Sequence, residues 1–353
     1  RLVPREAEII AAGGPPAGTF PNVVDITRAD IARILVRQGR LVEAEAEIRR
    51  SLLSRLERRG RYAPETGGDI MTLAMVIFEQ GRYPEAEKLA RAALDIFQNL
   101  GAEKTSFSLA NARRAIARAQ ASQGQWKEAY ATYAELRQDI EGDDVLVTQF
   151  LGDNVNYAMV LLQNGEGAGT VPIIERSLEK AVKNLGERHY NTAEARAWLA
   201  TALAATGQKE RALREFEAAM PILLSASRQS DDDEAGGGAA RGQRLVRIIE
   251  SYIGVLAEAR GAAAAEEAFR LADAARGQSV QRALAASSAR AAAADPALAD
   301  LVRREQDSQK QAAAFQGLLA NMLSSPSNQQ DPDGVRAVRT QIDQLRSARA
   351  AIR

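Results

Sequence analysis

Few side chains in this sequence could do chemistry. His189 is the only imidazole among 353 residues, and there is no Cys. A lone His could act as a general base or as a metal ligand. Catalysis also needs an orienting partner, and a metal needs further ligands, so His189 reads as structural. Asp331-Pro332-Asp333-Gly334 has the first ligands of a calcium-binding loop but lacks the Glu that completes one, so it reads as a turn and helix start. Glu43 and Glu45 could pair for acid–base work, yet they lie on a repetitive surface helix, where solvated charge is the ordinary state. No Walker loop, Gly-x-Gly-x-x-Gly or nucleophile elbow occurs. Without Cys there is no thiolate nucleophile, thiolate zinc site or disulfide. The expectation is no catalytic residue, no metal and no cofactor.

The elements that would position any site are helices. Apolar residues make up 46 % and charged residues 26 % of the chain, while aromatics are only 5 %. Ala, Leu, Arg, Glu and Gln dominate, and these side chains lose little rotamer freedom in a helix. Period-two β-branched runs are missing, so the expected fold class is all-α. The net charge of zero argues against a nucleic-acid partner. No apolar run reaches the ~18 residues of a membrane span. The chain starts at Arg1 rather than Met, so a secretory signal could have preceded it. Lack of Cys suits cytoplasm and periplasm alike, with the cytoplasm slightly favoured.

One phrase recurs: Gly, a spacer, a large residue, then Glu-Ala. It stands at Gly39-Arg40-Leu41-Val42-Glu43-Ala44, Gly81-Arg82-Tyr83-Pro84-Glu85-Ala86 and Gly124-Gln125-Trp126-Lys127-Glu128-Ala129, with weaker copies from Gly165, Gly207 and Gly261. Successive glycines are 42, 43, 41, 42 and 54 residues apart. The last interval returns to the period if 229–240, containing Ser230-Asp231-Asp232-Asp233-Glu234, is an acidic loop insertion. Seven residues before each Gly stands a small residue (Ala32, Ala74, Ala117, Ala158, Ala200, Gly254), preceded by a bulky one (Ile31, Leu73, Ile116, Tyr157, Leu199, Ile253). Five after the Gly stands Ala44, Ala86, Ala129, Thr170 or Ala212, and four further on Ile48, Ala90, Tyr133, Ile174 or Phe216. Small residues at two matched points let paired helices approach closely, and the bulky neighbours fill the grooves of the next pair. The expected array has about six hairpins over 25–290, after an irregular lead-in over 1–24. In the sixth unit Glu266 replaces the small residue, so its second helix is expected to shift register.

This pattern resembles the tetratricopeptide (TPR) repeat, and the longer unit resembles the kinesin-light-chain kind. The signature between such units, Leu-Gly-x-x-His-x-x-Thr-Ala, is matched by Leu185-Gly186-Glu187-Arg188-His189-Tyr190-Asn191-Thr192-Ala193. The resemblance implies a right-handed superhelix that binds a protein or peptide on the face lined by the first helix of each unit. Projected from the small positions, that face contains Arg33, Arg37, Met75, Glu79, Arg114, Arg118, Asn156, Met159 and Gln163. Asn156 falls where such repeats often carry an Asn that pairs with peptide backbone.

After Gly277 the repeat stops. Leu298, Leu301, Val302, Phe315 and Leu319 mark one amphipathic stripe, and Val335, Val338, Ile342 and Leu345 another. They are expected to form a long helical hairpin connector over 291–353. Phe269-Arg270-Leu271-Ala272-Asp273-Ala274-Ala275-Arg276-Gly277-Gln278-Ser279-Val280 and Leu301-Val302-Arg303-Arg304-Glu305-Gln306 resemble the segment joining TPRs to the caspase-like domain of bacterial TPR–CHAT proteins. That likeness implies the sensing or regulatory part of such a protease, with a CHAT domain in cis downstream of this chain. A free-standing adaptor is the alternative, and an enzyme of another type is the least supported class.

Overall fold

The computed structural model describes residues 19–230 and 238–276, with scattered positions between 311 and 345. It divides into two compact units, Arg1–Ala272 and Asp273–Arg353. In the first, α1 (Thr19–Arg37) pairs with α2 (Leu41–Arg59), α3 (Pro64–Glu79) with α4 (Tyr83–Asn99), and α5 (Phe107–Ser122) with α6 (Trp126–Ile140). The fourth repeat opens with α7 (Asp144–Val147), a π-turn over Thr148–Gly152 and the short α8 (Val155–Gln163), followed by α9 (Thr170–Leu185). Next come α10 (Tyr190–Ala205) paired with α11 (Lys209–Ser230), then α12 (Gly238–Arg260) and α13 (Ala265–Arg276). Among the described residues there is no strand. The fold is all-α, built of consecutive helical hairpins.

The small positions form the spine of the core. Ala32, Ala74, Ala117, Ala158 and Ala200 are exposed by 3 % or less, as are Ala44, Ala86, Ala129, Thr170 and Ala212. Ile48, Ala90, Tyr133, Ile174 and Phe216, the side chains expected to face them, are equally buried. All six repeat glycines have positive φ, between 54° and 85°. A side chain there would be strained, which is why Gly ends each first helix. The amide residue before the Gly adds a seam between neighbouring units. Gln80 Nε2 donates to the Leu41 carbonyl at 3.3 Å, and Asn164 Nδ2 to the Trp126 carbonyl at 3.1 Å.

Four expectations need correction. The lead-in ends earlier than residue 24, because α1 begins at Thr19; residues 1–18 lie outside the described residues. The insertion over 229–240 is not simply a loop, since α11 runs on to Ser230 and α12 starts at Gly238. Most of the inserted length outside 231–237 therefore extends two helices. The fourth unit's first helix is broken, with a bend of 73° between Asp144–Gly152 and Val155–Gln163. Asn154 makes the break by capping α8, its Oδ1 accepting from Tyr157 N at 3.1 Å while its Nδ2 donates to the Phe150 carbonyl at 2.9 Å. In the sixth unit the shift begins in its first helix. Gly254 is exposed, and Tyr252, Val255 and Leu256 are buried instead. Its second helix shifts too, with Ala264 and Leu271 taking the inward places.

The array was expected to reach 290, and its described part ends at Arg276. Most of the connector over 291–353 lies outside the described residues. In the second compact unit the described positions from 333 to 345 are helical, with Val338 and Ile342 buried one turn apart. Asp333 stands in that helix, ion-paired with Arg336. Among the described residues no single helix is long and apolar enough to cross a membrane, and no group of three or more His, Cys, Asp or Glu could hold a metal.

Candidate binding groove

The first helices of successive units stand side by side, so residues one turn either side of the small positions share an inner face. All nine projected residues line two adjoining cavities on that face. Arg33, Met75, Arg114, Arg118 and Asn156 border the smaller, of about 480 Å³. Arg37, Glu79, Arg118, Asn156, Met159 and Gln163 border the larger, of about 1530 Å³. The smaller has an apolar floor of Met71, Phe78, Phe97 and Phe107. Arg33 and Arg37, four residues apart on α1, face different cavities.

The charges of this face differ in how they are held. Arg118 pairs with Glu79 at 2.9 Å and lies 3.7 Å over the Phe78 ring, so its charge is spoken for. Arg33 pairs with Asp30 at 2.7 Å and donates to Thr72 Oγ1 at 3.2 Å. Among the described residues Arg114 has no carboxylate partner; it donates to Asn111 Oδ1 at 2.7 Å and sits over the Phe150 ring at 5.2 Å. Burial, aided by the neighbouring Arg118 charge, holds its guanidinium below the usual arginine range. Arg37 is exposed and Asn156 half-buried, and neither has a hydrogen-bonded or ionic partner among the described residues.

Half of the larger cavity's wall was missed by sequence reasoning. It comes from α10 (Tyr190, Glu194, Trp198) and from α12 (Arg241, Arg244, Arg247, Glu250). Arg244 Nε donates to Glu194 at 2.6 Å. Burial alone would lower the Arg244 pKa, but Glu194 and Glu79 outweigh it and hold the group charged. Arg241 stacks 3.3 Å over Tyr190. Arg247 donates to the carbonyls of Ala121 and Ser122, the last turn of α5, at 3.4 and 3.2 Å, and faces the Trp126 ring at 5.2 Å. The spacing Arg241, Arg244, Arg247 was a legible signal of one helix face; what that face meets was not.

The residues with possible chemistry have structural places. His189 borders the larger cavity and caps α10, its Nδ1 accepting from Asn191 N at 3.1 Å. Thr192 Oγ1 ties the same turn by donating to the Gly186 carbonyl at 2.8 Å, and Thr66 repeats that bond to Gly60 at 3.0 Å. That is the physical content of the motif between units. Glu43 and Glu45 are not free solvated charges. Glu43 pairs with Arg40 at 2.6 Å, and Glu45 joins the first two units through Arg82 at 2.9 Å and Gln80 at 2.8 Å.

Stacked helical hairpins with a continuous inner face define a helical-repeat scaffold, a class that binds proteins along that face. Residues 69–138, covering most of the second repeat, the third repeat's first helix and most of its second, match the tetratricopeptide repeat family model. Such repeats are protein–protein interaction modules and typically non-enzymatic. A search of the curated proteins finds no match to this sequence. Among solved structures the chain is similar to nearly identical TPR-like repeats described as a putative kinesin light chain of Podosopora anserina. The match has 18 % identity and a TM-score of 0.41, over 58 % of this chain and 97 % of that one. A variant form of those repeats matches at 19 % identity and a TM-score of 0.42, over 59 % and 98 %.

Proposed function

We infer that the inner face of this scaffold holds an acidic segment of a partner protein. The observation that carries this reading is that, among the described residues around the two cavities, guanidinium groups without a carboxylate partner outnumber carboxylates without a cationic one. Among the described residues Arg37, Arg114, Arg241 and Arg247 have no carboxylate partner. Of the described carboxylates lining the larger cavity, Glu79, Glu194 and Glu258 are ion-paired, and Glu250 has no cationic partner among the described residues. Unpaired cations on a concave face attract an acidic partner and repel a basic one. Asn156, whose amide has no partner among the described residues, would pair with the backbone of such a segment.

Fluorescence anisotropy tests this with labelled Glu-rich and Lys-rich peptides of equal length. The Glu-rich peptide should bind, and binding should weaken as salt rises. Arg37→Glu should weaken it about fivefold, which is ~1 kcal/mol for an exposed charge. Equal binding of the Lys-rich peptide would overturn the reading.

At a finer level the chain is read as the sensing or regulatory part of a TPR–CHAT protein. The support is the likeness of Phe269–Val280 and Leu301–Gln306 to the connector of those proteins. A free-standing adaptor is the second reading. The reading frame beyond Arg353 decides between them: a caspase-like region with a His and a later Cys supports the first, and an early stop codon the second.

A further inference from the structure

The sixth unit sends its first helix to an unexpected place. α12 has 23 residues, where α3, α5 and α10 have 16 each. It packs on α11 and α10, as a following repeat would, but also on α3 of the second unit. Ala240, near its start, is fully buried and belongs to the core cluster of Leu35, Ile77, Phe78 and Tyr83. The helix therefore crosses the inner face between units far apart in sequence.

Different chemistry holds the two halves of α12. Ile248, Ile249, Tyr252 and Leu256 are exposed by 1 % or less, and Tyr252 stacks on Phe216 with ring centroids 4.8 Å apart. That half is fixed in apolar core. The half before it is held largely by three arginines: Arg241 on the Tyr190 ring, Arg244 on Glu194, and Arg247 on the carbonyl end of α5. Its buried apolar anchors are Ala240 and Leu245. Gly242 lies inside this half, where it lowers helix propensity. Of these contacts the Arg244–Glu194 ion pair weakens with salt, less than a fully exposed pair would, and all three yield to competing carboxylates, whereas the apolar half depends on neither.

We propose that the stretch of α12 from Gly238 to Arg247 is a detachable gate over the inner face, hinged where continuous apolar anchorage begins at Ile248, with Ala240 and Leu245 as the apolar contacts that opening releases. In the closed state its arginines are satisfied by Glu194, by Tyr190 and by the last carbonyls of α5. A segment rich in carboxylates offers the same arginines alternative partners, so its arrival favours the open state and access to the cavity behind. This last step rests on the reading of the groove as an acidic-segment site; the existence of the gate does not.

The natural lack of Cys makes a distance measurement direct. Spin labels at Lys127→Cys on α6 and Gln243→Cys on α12, both exposed positions, report the gate against the third unit with no ligand present. The parent should show a dominant short distance. Glu194→Arg should raise the ratio of long to short distances about tenfold, the scale of losing one charge-assisted hydrogen bond. Raising salt from about 0.05 to 0.5 M should move the ratio the same way. Combining Glu194→Arg with Arg244→Glu should restore the short distance, which separates an opened gate from a misfolded chain. One distance, unmoved by salt and by Glu194→Arg in a chain of parental helicity, would overturn the gate. Because no peptide is present, that failure is separate from failure of the acidic-segment reading.

Discussion

Repeats two to five and repeat six share the same hairpin plan but hold their first helices differently. In α3, α5, α8 and α10 the residue seven before the Gly is a fully packed Ala. In α12 the equivalent Gly254 is exposed, and an added Cβ there would meet nothing within 4 Å. Where the small residue is used, the helix is clamped to its neighbours in one register. Where it is not, the helix is free to rotate, lengthen and bring Arg241, Arg244 and Arg247 onto the inner face. The difference is between helices positioned by close packing throughout and one whose first half is held largely by arginine contacts.

The largest expected effect breaks the joint between these regions. Phe216 is fully buried and stacks on Tyr252. Phe216→Ala should cost about 3–5 kcal/mol locally. Because repeats couple mainly to neighbours, hydrogen exchange should show protection lost in α11 and α12 and kept in α3 to α6. Uniform loss would mean that the sixth repeat is no separate region.

A pair of substitutions at equivalent positions sharpens the comparison. Ala117→Leu overpacks a site with no exposed surface and should cost about 1–3 kcal/mol in urea unfolding. Gly254→Ala, at the same place in the sixth unit, should be neutral or stabilise by about 0.5–1 kcal/mol, because it removes a helical Gly without a clash. A comparable loss at both positions would erase the distinction.

The smallest effect is a dependence on pH that comes from the first repeats. Burial holds the Asp69 carboxyl above its ordinary range despite a hydrogen bond from Ser51 at 2.5 Å and the charge of Arg55 at 2.8 Å. Its ionisation therefore opposes folding at neutral pH, and this cost disappears as pH falls through the raised value. Glu45 is the reverse. Burial works to raise it, but Gln80, Arg49 and Arg82 prevail and hold it below its ordinary range. Its contribution is present above the ordinary carboxylate range and is lost as pH falls through the depressed value. Acid titration of stability should lose its early gain in Asp69→Asn and its later decline in Glu45→Gln, with α12 protection unchanged in both.

Much of the architecture could be read directly because it is local. Ala74 and Ala86, or Ala117 and Ala129, stand within one hairpin, and the Gly between them needs positive φ whatever surrounds it. From those points helical periodicity projects Arg33 through Gln163 onto one face. The break at Thr148–Gly152 was not read, although Asn154, which caps the helix after it and bonds to nearby Phe150 and Tyr157, is a local signal that could have marked it. The polar residues of 229–240 gave no sign that helices continue to Ser230 and resume at Gly238.

The sequence alone determined the repeating helix pairs and the turns between them, because both follow from spacing within about 42 residues. Only the tertiary structure decided what closes the inner face. Arg244 meets Glu194 across 50 residues and Arg247 meets Ala121 across 126. Such contacts arise from how much each unit rotates on the last, an accumulation of small packing angles that no local pattern encodes.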